Sequence, residues 1–316
     1  MNIPSHIFRA YDIRGLLEEV TVDIARTVGK ALVTKTGAKS VIVGRDMRTT
    51  SFELEQAAIK GITSMGAHVI DIGLCTTSMF NFAVSSQSNI DAGLMVTASH
   101  NPAEFNGIKL ALANGLPISG TEILNVIVGA GFTLPTGPAC RQPGRQVPAH
   151  AIGTVIQQNI LSEYIDKCLV IENLPDLSGT KLVIDYGNGM GAMSVRELCK
   201  RLNIEVIELY SEPDARFPNH EANPAKEETL SDLKAAVIRE RADFGIALDG
   251  DADRVGFIDN EGKSLRGDLT LALLSKEVLS RKPGSKIVVA PNQSWTTSDS
   301  ITEYGGVPFT CRIGRK

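Results

Sequence analysis

Three short, Val- and Ile-rich runs, each opened by a lysine, set the architecture available to this chain: Lys39-Ser-Val-Ile-Val43, Lys181-Leu-Val-Ile-Asp185 and Lys286-Ile-Val-Val-Ala290. Each reads as a strand and is followed by a helix-like segment. A second strand then comes at Gly66-Ala-His-Val-Ile70, Asn203-Ile-Glu-Val-Ile207 and Gly306-Val-Pro-Phe-Thr310. A strand, a crossover helix and a parallel strand make a β-α-β unit. Three such units imply an α/β fold of tandem domains with mixed, mostly parallel sheets sandwiched by helices. In the first two units a third strand follows, Ala92-Gly-Leu-Met-Val96 and Asp243-Phe-Gly-Ile-Ala-Leu248, and each runs straight into a polar loop. In open parallel sheets ligands bind beyond the carboxyl ends of the strands, so two such loops facing one crevice would form a site.

The length of 316 residues and the 43% hydrophobic content allow a sizeable core and about two domains or slightly more. The expected division is 1–137 and 151–256 for two α/β domains, with a linker over 138–150 marked by Pro135-Thr-Gly-Pro-Ala-Cys-Arg-Gln-Pro-Gly144. Residues 257–316 make a partial third domain, because the chain stops at Arg312-Ile-Gly-Arg-Lys316 before a third strand is reached. A unit of roughly 60 residues with one β-α-β motif would leave strand edges open, so a C-terminally incomplete chain is expected.

Several function classes are disfavoured. No run of about 18 apolar residues occurs, and the start Met1-Asn-Ile-Pro-Ser-His6 has neither a basic segment nor an apolar signal core, so a cytoplasmic protein without membrane contact is expected. The five cysteines are an odd number without a Cys-x-x-Cys pair, which points away from a disulfide framework or a zinc cluster. A net charge of -4 argues against nucleic-acid binding. An anionic small substrate remains possible through local cations: Arg9, Arg14, Arg45, Arg48, Lys109 and Arg254 lie in or beside the polar loops.

The loop after the second unit's third strand holds Asp249, Asp251 and Asp253 at alternate positions. Residues two apart project to one side, so three like charges crowd one another unless a cation sits between them. Oxygen ligands suit Mg2+ or Ca2+. An EF-hand loop would need Gly and Glu where the chain has Arg254 and Asn260, so that reading fails, while a solvated acidic turn is the plain alternative. The loop after the first unit's third strand is Thr97-Ala-Ser-His-Asn-Pro102, followed by Phe105-Asn-Gly-Ile-Lys109. Ser99 could be a nucleophile, yet His100 is its neighbour in sequence and poorly placed as its base, and no Asp completes a triad. A hydroxyl can instead carry a phosphoryl group, whose charge of about -1.5 to -2 would complete a metal site begun by three carboxylates. Taken alone, Ser99 could equally cap a turn before Asn-Pro. Asp185-Tyr-Gly-Asn-Gly-Met-Gly191 reads as a structural βα turn, and Arg45-Asp-Met-Arg48 as an ion pair within its domain.

Thr97-Ala-Ser-His-Asn-Pro102 with Asn106-Gly-Ile-Lys109, Asp249-Gly-Asp-Ala-Asp-Arg254, Phe8-Arg-Ala-Tyr-Asp-Ile-Arg-Gly15 and Phe217-Pro-Asn-His-Glu-Ala-Asn-Pro224 together resemble the α-D-phosphohexomutases, in their phosphomannomutase/phosphoglucomutase branch. The resemblance implies interconversion of hexose 1-phosphate and hexose 6-phosphate. Phosphoserine 99 would donate its phosphoryl group, through a hexose 1,6-bisphosphate, with glucose 1,6-bisphosphate as phosphate donor. It also implies Mg2+ held by Ser99, Asp249, Asp251 and Asp253. Arg14, Lys109 and His100 would be catalytic, with Lys109 the candidate for proton transfer. Arg9, Tyr11 and Asn101 would border the substrate, and Arg254 would orient the metal loop. Relatives use a Gly-Glu-x-Ser-Gly-His-like loop of a third domain to read the sugar and a fourth domain to grip the second phosphate. This chain has neither, and it carries Asn292 and Arg315 where relatives often have Lys and His, so little turnover is expected of it. Phosphoglucosamine mutases are the nearest rival, but Tyr11-Asp-Ile-Arg-Gly15 favours the mannose/glucose branch. A non-catalytic fragment that binds sugar phosphate and metal, and a metal-dependent phosphatase, are the readings from other classes.

Overall fold

The computed structural model describes residues 3–132, 152–170 and 174–311. The first unit contains strands β1 (Ile13–Leu16), β2 (Ser40–Arg45), β3 (His68–Leu74), β4 (Ala92–Val96), β5 (Phe105–Leu112), β6 (Pro117–Ile118) and β7 (Val155–Gln157). Its helices are α1 (Val22–Thr36), α2 (Ser51–Ser64), α3 (Thr77–Ser86), α4 (Gly120–Gly129) and α5 (Leu161–Cys168). Among the described residues the strands form one sheet in the order β1-β5-β4-β2-β3-β7, with β6 paired to β5. β4, β2, β3 and β7 run parallel, while β5 is antiparallel to both β4 and β1.

Both faces of this sheet are covered, which is why its strands are apolar throughout rather than alternating. Val41, Val43, Leu94, Ile108 and Leu110 pack toward α1, α2 and α4. Ile42, Ile70, Ile72, Met95 and Ala111 pack toward α3 and α5. Lys109 therefore shares its side of β5 with Ala111 and faces α3. The closest helix contact is α1 against α2, where a Cβ on Gly61 would lie 2.1 Å from the Arg26 carbonyl oxygen and one on Gly29 would lie 2.5 Å from that of Ala58. Neither backbone can yield cheaply, so Gly61→Ala is expected to destabilise the fold by ~1–3 kcal/mol. Thermal unfolding followed by circular dichroism checks this, and an unchanged midpoint would count against the packing described.

The second unit contains β8 (Lys181–Asp185), α6 (Ala192–Arg201), β9 (Glu205–Leu209), α7 (Ser231–Glu240), β10 (Phe244–Leu248), β11 (Val255–Asp259) and β12 (Ser264–Leu265), with sheet order β12-β11-β10-β8-β9. β10, β8 and β9 are parallel and β11 is antiparallel to β10. α7, through Leu233 and Val237, covers one face over Val183 and Ile258, and α6 the other over Leu182, Ile184, Tyr186 and Leu248. The third unit is α8 (Gly267–Arg281), β13 (Lys286–Val289), α9 (Trp295–Glu303) and β14 (Val307–Thr310), with β13 and β14 parallel. Its core is small, centred on Leu279, Val289 and Ile301. No described helix is long and apolar enough to cross a membrane.

The strands expected in all three units are present, but four features differ from the sequence reading. Phe105-Asn-Gly-Ile-Lys109, which follows the Ser99 loop and where the sequence reading places no strand, is the start of β5. The strand β7 lies after residue 151, yet it extends the first sheet beside β3. β11 and β12 carry the second sheet past residue 257, to Leu265. Finally, each of the first two units has an antiparallel fourth strand beside its third, giving the shared order β5-β4-β2-β3 and β11-β10-β8-β9. The linker over 138–150, with Pro135–Gly144 that marks it, lies outside the described residues, as do Arg312–Lys316.

Candidate functional site

The shared topology places two hairpin connections at equivalent positions: residues 97–104 between β4 and β5, and residues 249–254 between β10 and β11. The first carries Ser99 and the second the three aspartates. Both bend through the left-handed region at a residue with a side chain, Ser99 at φ 54° and Ala252 at φ 56°. Such conformations cost of order 1–3 kcal/mol and persist where surroundings fix them. The two loops meet face to face. The Ser99 hydroxyl donates to Asp249 Oδ2 at 3.0 Å, and a Cβ on Gly250 would sit 2.6 Å from the Ser99 carbonyl oxygen. The turn after β8 backs the aspartate loop: Met190 N donates to Gly250 O at 2.9 Å, which matches its structural reading.

Carboxylate oxygens of Asp249, Asp251 and Asp253 lie within 4.8 Å of one another. Asp249 and Asp251 are fully buried, and Asp253 is partly exposed. Lys109 crosses from β5 to this cluster, with Nζ 2.6 Å from Asp251 Oδ2 and 2.7 Å from Asp253 Oδ2. Thr77, the first residue of α3, donates its hydroxyl to Asp251 Oδ2 at 2.6 Å and its backbone N–H to the Asp251 carbonyl at 3.0 Å. Asp249 Oδ1 accepts the N–H groups of Asp253 and Arg254 at 2.9 and 3.0 Å. Asp251 Oδ1 is buried and makes no hydrogen bond. A buried carboxylate oxygen without a donor, beside two further carboxylates, is the arrangement a hard divalent cation satisfies.

The electrostatics follow from these contacts. Burial, with Asp251 and Asp253 nearby, pushes Asp249 up to about 8. Asp251 is more deeply buried, yet the Lys109 ammonium and the hydrogen bonds from Lys109 and Thr77 bring it down to about 2. Burial works against the charge on Lys109, but the two aspartates more than offset it and raise its affinity for the proton. Lys109 is thus an ammonium at neutral pH. Burial, then the positive charges of Arg254 and Arg14, lower His100 to about 4, so its ring is neutral there.

A cavity of about 800 Å³ opens over both loops, lined among others by Arg9, Tyr11, Arg14, Ser99, Lys109 and Arg254. His100, Asn101 and Asp253 also border it. Every residue expected at the site is therefore brought to it, but some stand differently from the sequence reading. His100 Nδ1 lies 3.3 Å from Ser99 Oγ although the two are adjacent in sequence. Asn101 is tied to Arg14, whose Nη1 donates to its Oδ1 at 2.8 Å, while Asp12 takes Nη2 at 2.5 Å. The Arg14 Nε is buried and makes no hydrogen bond. Arg254 touches Asp249 through its backbone, whereas its guanidinium, at 4.0 Å, faces the cavity. Two residues escaped the sequence reading: Thr77, and Arg48 in its contacts with the Ser99 loop. The signal for Thr77 was its place just beyond the carboxyl end of β3, next to the N-cap Thr76.

Phe217-Pro-Asn-His-Glu-Ala-Asn-Pro224 packs around the turn that backs the aspartate loop. Asn219 Nδ2 donates to Asn188 Oδ1 at 2.7 Å, and His220 Nε2 lies 2.9 Å from Asp185 Oδ2. The hydrogen bond to Asp185 raises the His220 affinity for its proton against a desolvation penalty. A histidine whose folded pKa exceeds its unfolded one stabilises fully below about pH 6.5 and loses that contribution as pH rises through the folded value. Thermal midpoints should accordingly decline from pH 6.5 upward in the wild type. The decline should flatten in His220→Asn, and parallel pH profiles would refute the linkage.

Residues 5–129 match phosphoglucomutase/phosphomannomutase alpha/beta/alpha domain I, and residues 149–262 match domain II. A phosphohexose mutase of Xanthomonas campestris is 36% identical over 317 aligned residues, covering 99% of this chain and 67% of the relative. The phosphomannomutase of Escherichia coli K12 is 36% identical, covering 97% of this chain and 67% of that protein. The crystal structure of a phosphoglucomutase/phosphomannomutase family protein from Burkholderia thailandensis superposes with a TM-score of 0.87 at 32% identity, over 98% of this chain and 67% of that one. This chain thus spans about two thirds of the length of these relatives. Both matched domains, and the hairpin loops that end their third strands, place the chain in the phosphoglucomutase/phosphomannomutase family of phosphohexomutases, which are isomerases acting by phosphoryl transfer.

Proposed function

We propose that this chain moves a phosphoryl group between Ser99 and a hexose phosphate, as the chemical core of a phosphomannomutase/phosphoglucomutase reaction with Mg2+ at the aspartate loop. The observation that carries the reading is the Ser99 hydroxyl 3.0 Å from Asp249 Oδ2, within a cluster of carboxylates already bridged by Lys109. In the forward half-reaction the Ser99 Oγ–P bond breaks as a bond forms from phosphorus to a hexose hydroxyl oxygen, giving a hexose 1,6-bisphosphate. Lys109, held as an ammonium by Asp251 and Asp253, gives its proton to the departing Ser99 Oγ and is refilled by the hexose hydroxyl. The reverse step returns the other phosphate to Ser99. Asp249, Asp251, Asp253 and the phosphorylated Ser99 would hold Mg2+, which when bound neutralises charge on the moving group.

Arg14 Nε, buried without a partner, and the Arg9 and Arg254 side chains supply cationic walls for the sugar's phosphates, with Tyr11 and Asn101 beside them. His100, neutral beside Ser99, orients the hydroxyl. No described residue of the third unit lines the cavity, so capture of the intermediate during its half-turn is weak and net turnover by these 316 residues is low. Incubation with glucose 1,6-bisphosphate and Mg2+ followed by intact-mass spectrometry tests the reading: one added phosphate, mapped to Ser99, is expected. Absence of that phosphate would favour a binding protein, and sustained release of inorganic phosphate a phosphatase.

A further inference from the structure

Arg48 follows β2 and lies away from the cavity lining, yet its side chain is only 1% exposed. A guanidinium so buried normally spends its donors on carboxylates. Here most go to carbonyls of one short stretch. Nη1 donates to Pro102 O at 2.7 Å and Phe105 O at 2.9 Å, and Nη2 to Ser99 O at 2.9 Å and to Asn101 O. Asp46 Oδ2 lies 3.3 Å from Nε, and its other oxygen is held by Ser51 Oγ at 2.6 Å. The Phe217 ring, from the second unit, covers the guanidinium at 5.2 Å. The Ser99 carbonyl is thus fixed between Arg48 and the Gly250 backbone of the aspartate loop, which sets the left-handed turn that aims the hydroxyl.

We propose that Arg48 is a positioning residue for phosphoryl transfer: its planar fork gathers four carbonyls of the Ser99 loop and, under Phe217, locks that loop against the second unit. This rests on the phosphotransfer reading above. The fork is essential, because a lysine offers three donors from a single point and cannot span carbonyls on both sides of the loop.

The test compares wild type, Arg48→Met, Arg48→Lys and Phe217→Leu in three measurements. The first is the initial rate at which Ser99 gains a phosphoryl group from glucose 1,6-bisphosphate, phosphorus leaving a sugar oxygen for Oγ as the Oγ proton passes to that oxygen. The second is Mn2+ titration of the aspartate loop, and the third is backbone hydrogen exchange across residues 97–107. A loop displaced by about 1 Å loses roughly 10²-fold in rate, so that loss is expected for Arg48→Met. Exchange should accelerate over the loop while Mn2+ affinity is retained. Arg48→Lys should recover only part of the rate, and Phe217→Leu, which keeps all four hydrogen bonds, should lose several-fold. Wild-type rates in Arg48→Met, or in both other variants should the methionine protein not fold, would overturn the proposal. Should the wild type itself take up no phosphate, the phosphotransfer reading falls. Exchange then decides the positioning role alone, and wild-type protection of residues 97–107 in Arg48→Lys would overturn it.

Discussion

Ser99→Ala should abolish covalent phosphate on the chain and reduce phosphoryl exchange with glucose 1,6-bisphosphate by ~10⁴-fold or more, since removing a nucleophile eliminates the covalent route itself. The competing explanation for such a loss is misfolding, and magnitudes separate the two. Alanine tolerates the left-handed turn at φ 54° no worse than serine does, so no new backbone strain is introduced. What the fold loses is the hydrogen bond to Asp249 Oδ2 and the 3.3 Å contact with His100 Nδ1, while Asp249 Oδ1 keeps both of its backbone donors. Leaving a buried acceptor unpaired costs about 1–3 kcal/mol, a modest shift in thermal midpoint for a chain of this size. Intact-mass spectrometry paired with a thermal melt reads both effects from one preparation. A Ser99→Ala protein that still acquires phosphate at wild-type rate would remove Ser99 from the mechanism.

The parts of this site that sequence makes visible are those whose chemistry sits in adjacent letters. Asp249, Asp251 and Asp253 announce a cation site because three like charges recur at alternate positions, and Ser99 gains meaning beside them. The parallel strands were equally legible, because strands covered on both faces are written as unbroken Val/Ile runs such as Val41–Val43. The antiparallel fourth strands were not. β5 opens with Phe105, Asn106 and Gly107, and Gly107 is required because a Cβ there would lie 2.5 Å from the Ile13 carbonyl oxygen of β1. A residue chosen for close backbone approach carries no periodicity to read. Thr77 and Arg48 were hidden for another reason. Thr77 serves Asp251 across 174 positions of chain, and Arg48 serves Ser99 across 51, so each is an ordinary polar residue until the sheets bring the loops together.

Asp251→Asn should eliminate specific divalent-ion binding, although it removes a single charge from a site that keeps two carboxylates. Asp251 is the aspartate with a buried oxygen left without a partner, and its other oxygen is fixed by Lys109 and Thr77, so it alone presents a preoriented ligand. Stability without metal decides little, because opposing terms meet in it. Breaking a buried pair with Lys109 costs up to about 3–5 kcal/mol, but Asp253 still holds the ammonium at 2.7 Å. Relief of the repulsion that helps push Asp249 up to about 8 works in the other direction. The metal-dependent increment is free of that ambiguity. A ligand at 100 times its Kd stabilises the native state by about 2.7 kcal/mol, and this gain vanishes if the site is lost. Thermal melts with Mg2+ and with EDTA should therefore diverge for the wild type and coincide for Asp251→Asn. Asp259→Asn, in β11 outside the loop, should keep the wild-type separation. An undiminished Mg2+ shift in Asp251→Asn would mean that the cation binds elsewhere. Asp251 would then be held only through Oδ2, by Lys109 and Thr77, and the aspartate loop would be an ion-paired clasp between the two units rather than a metal centre.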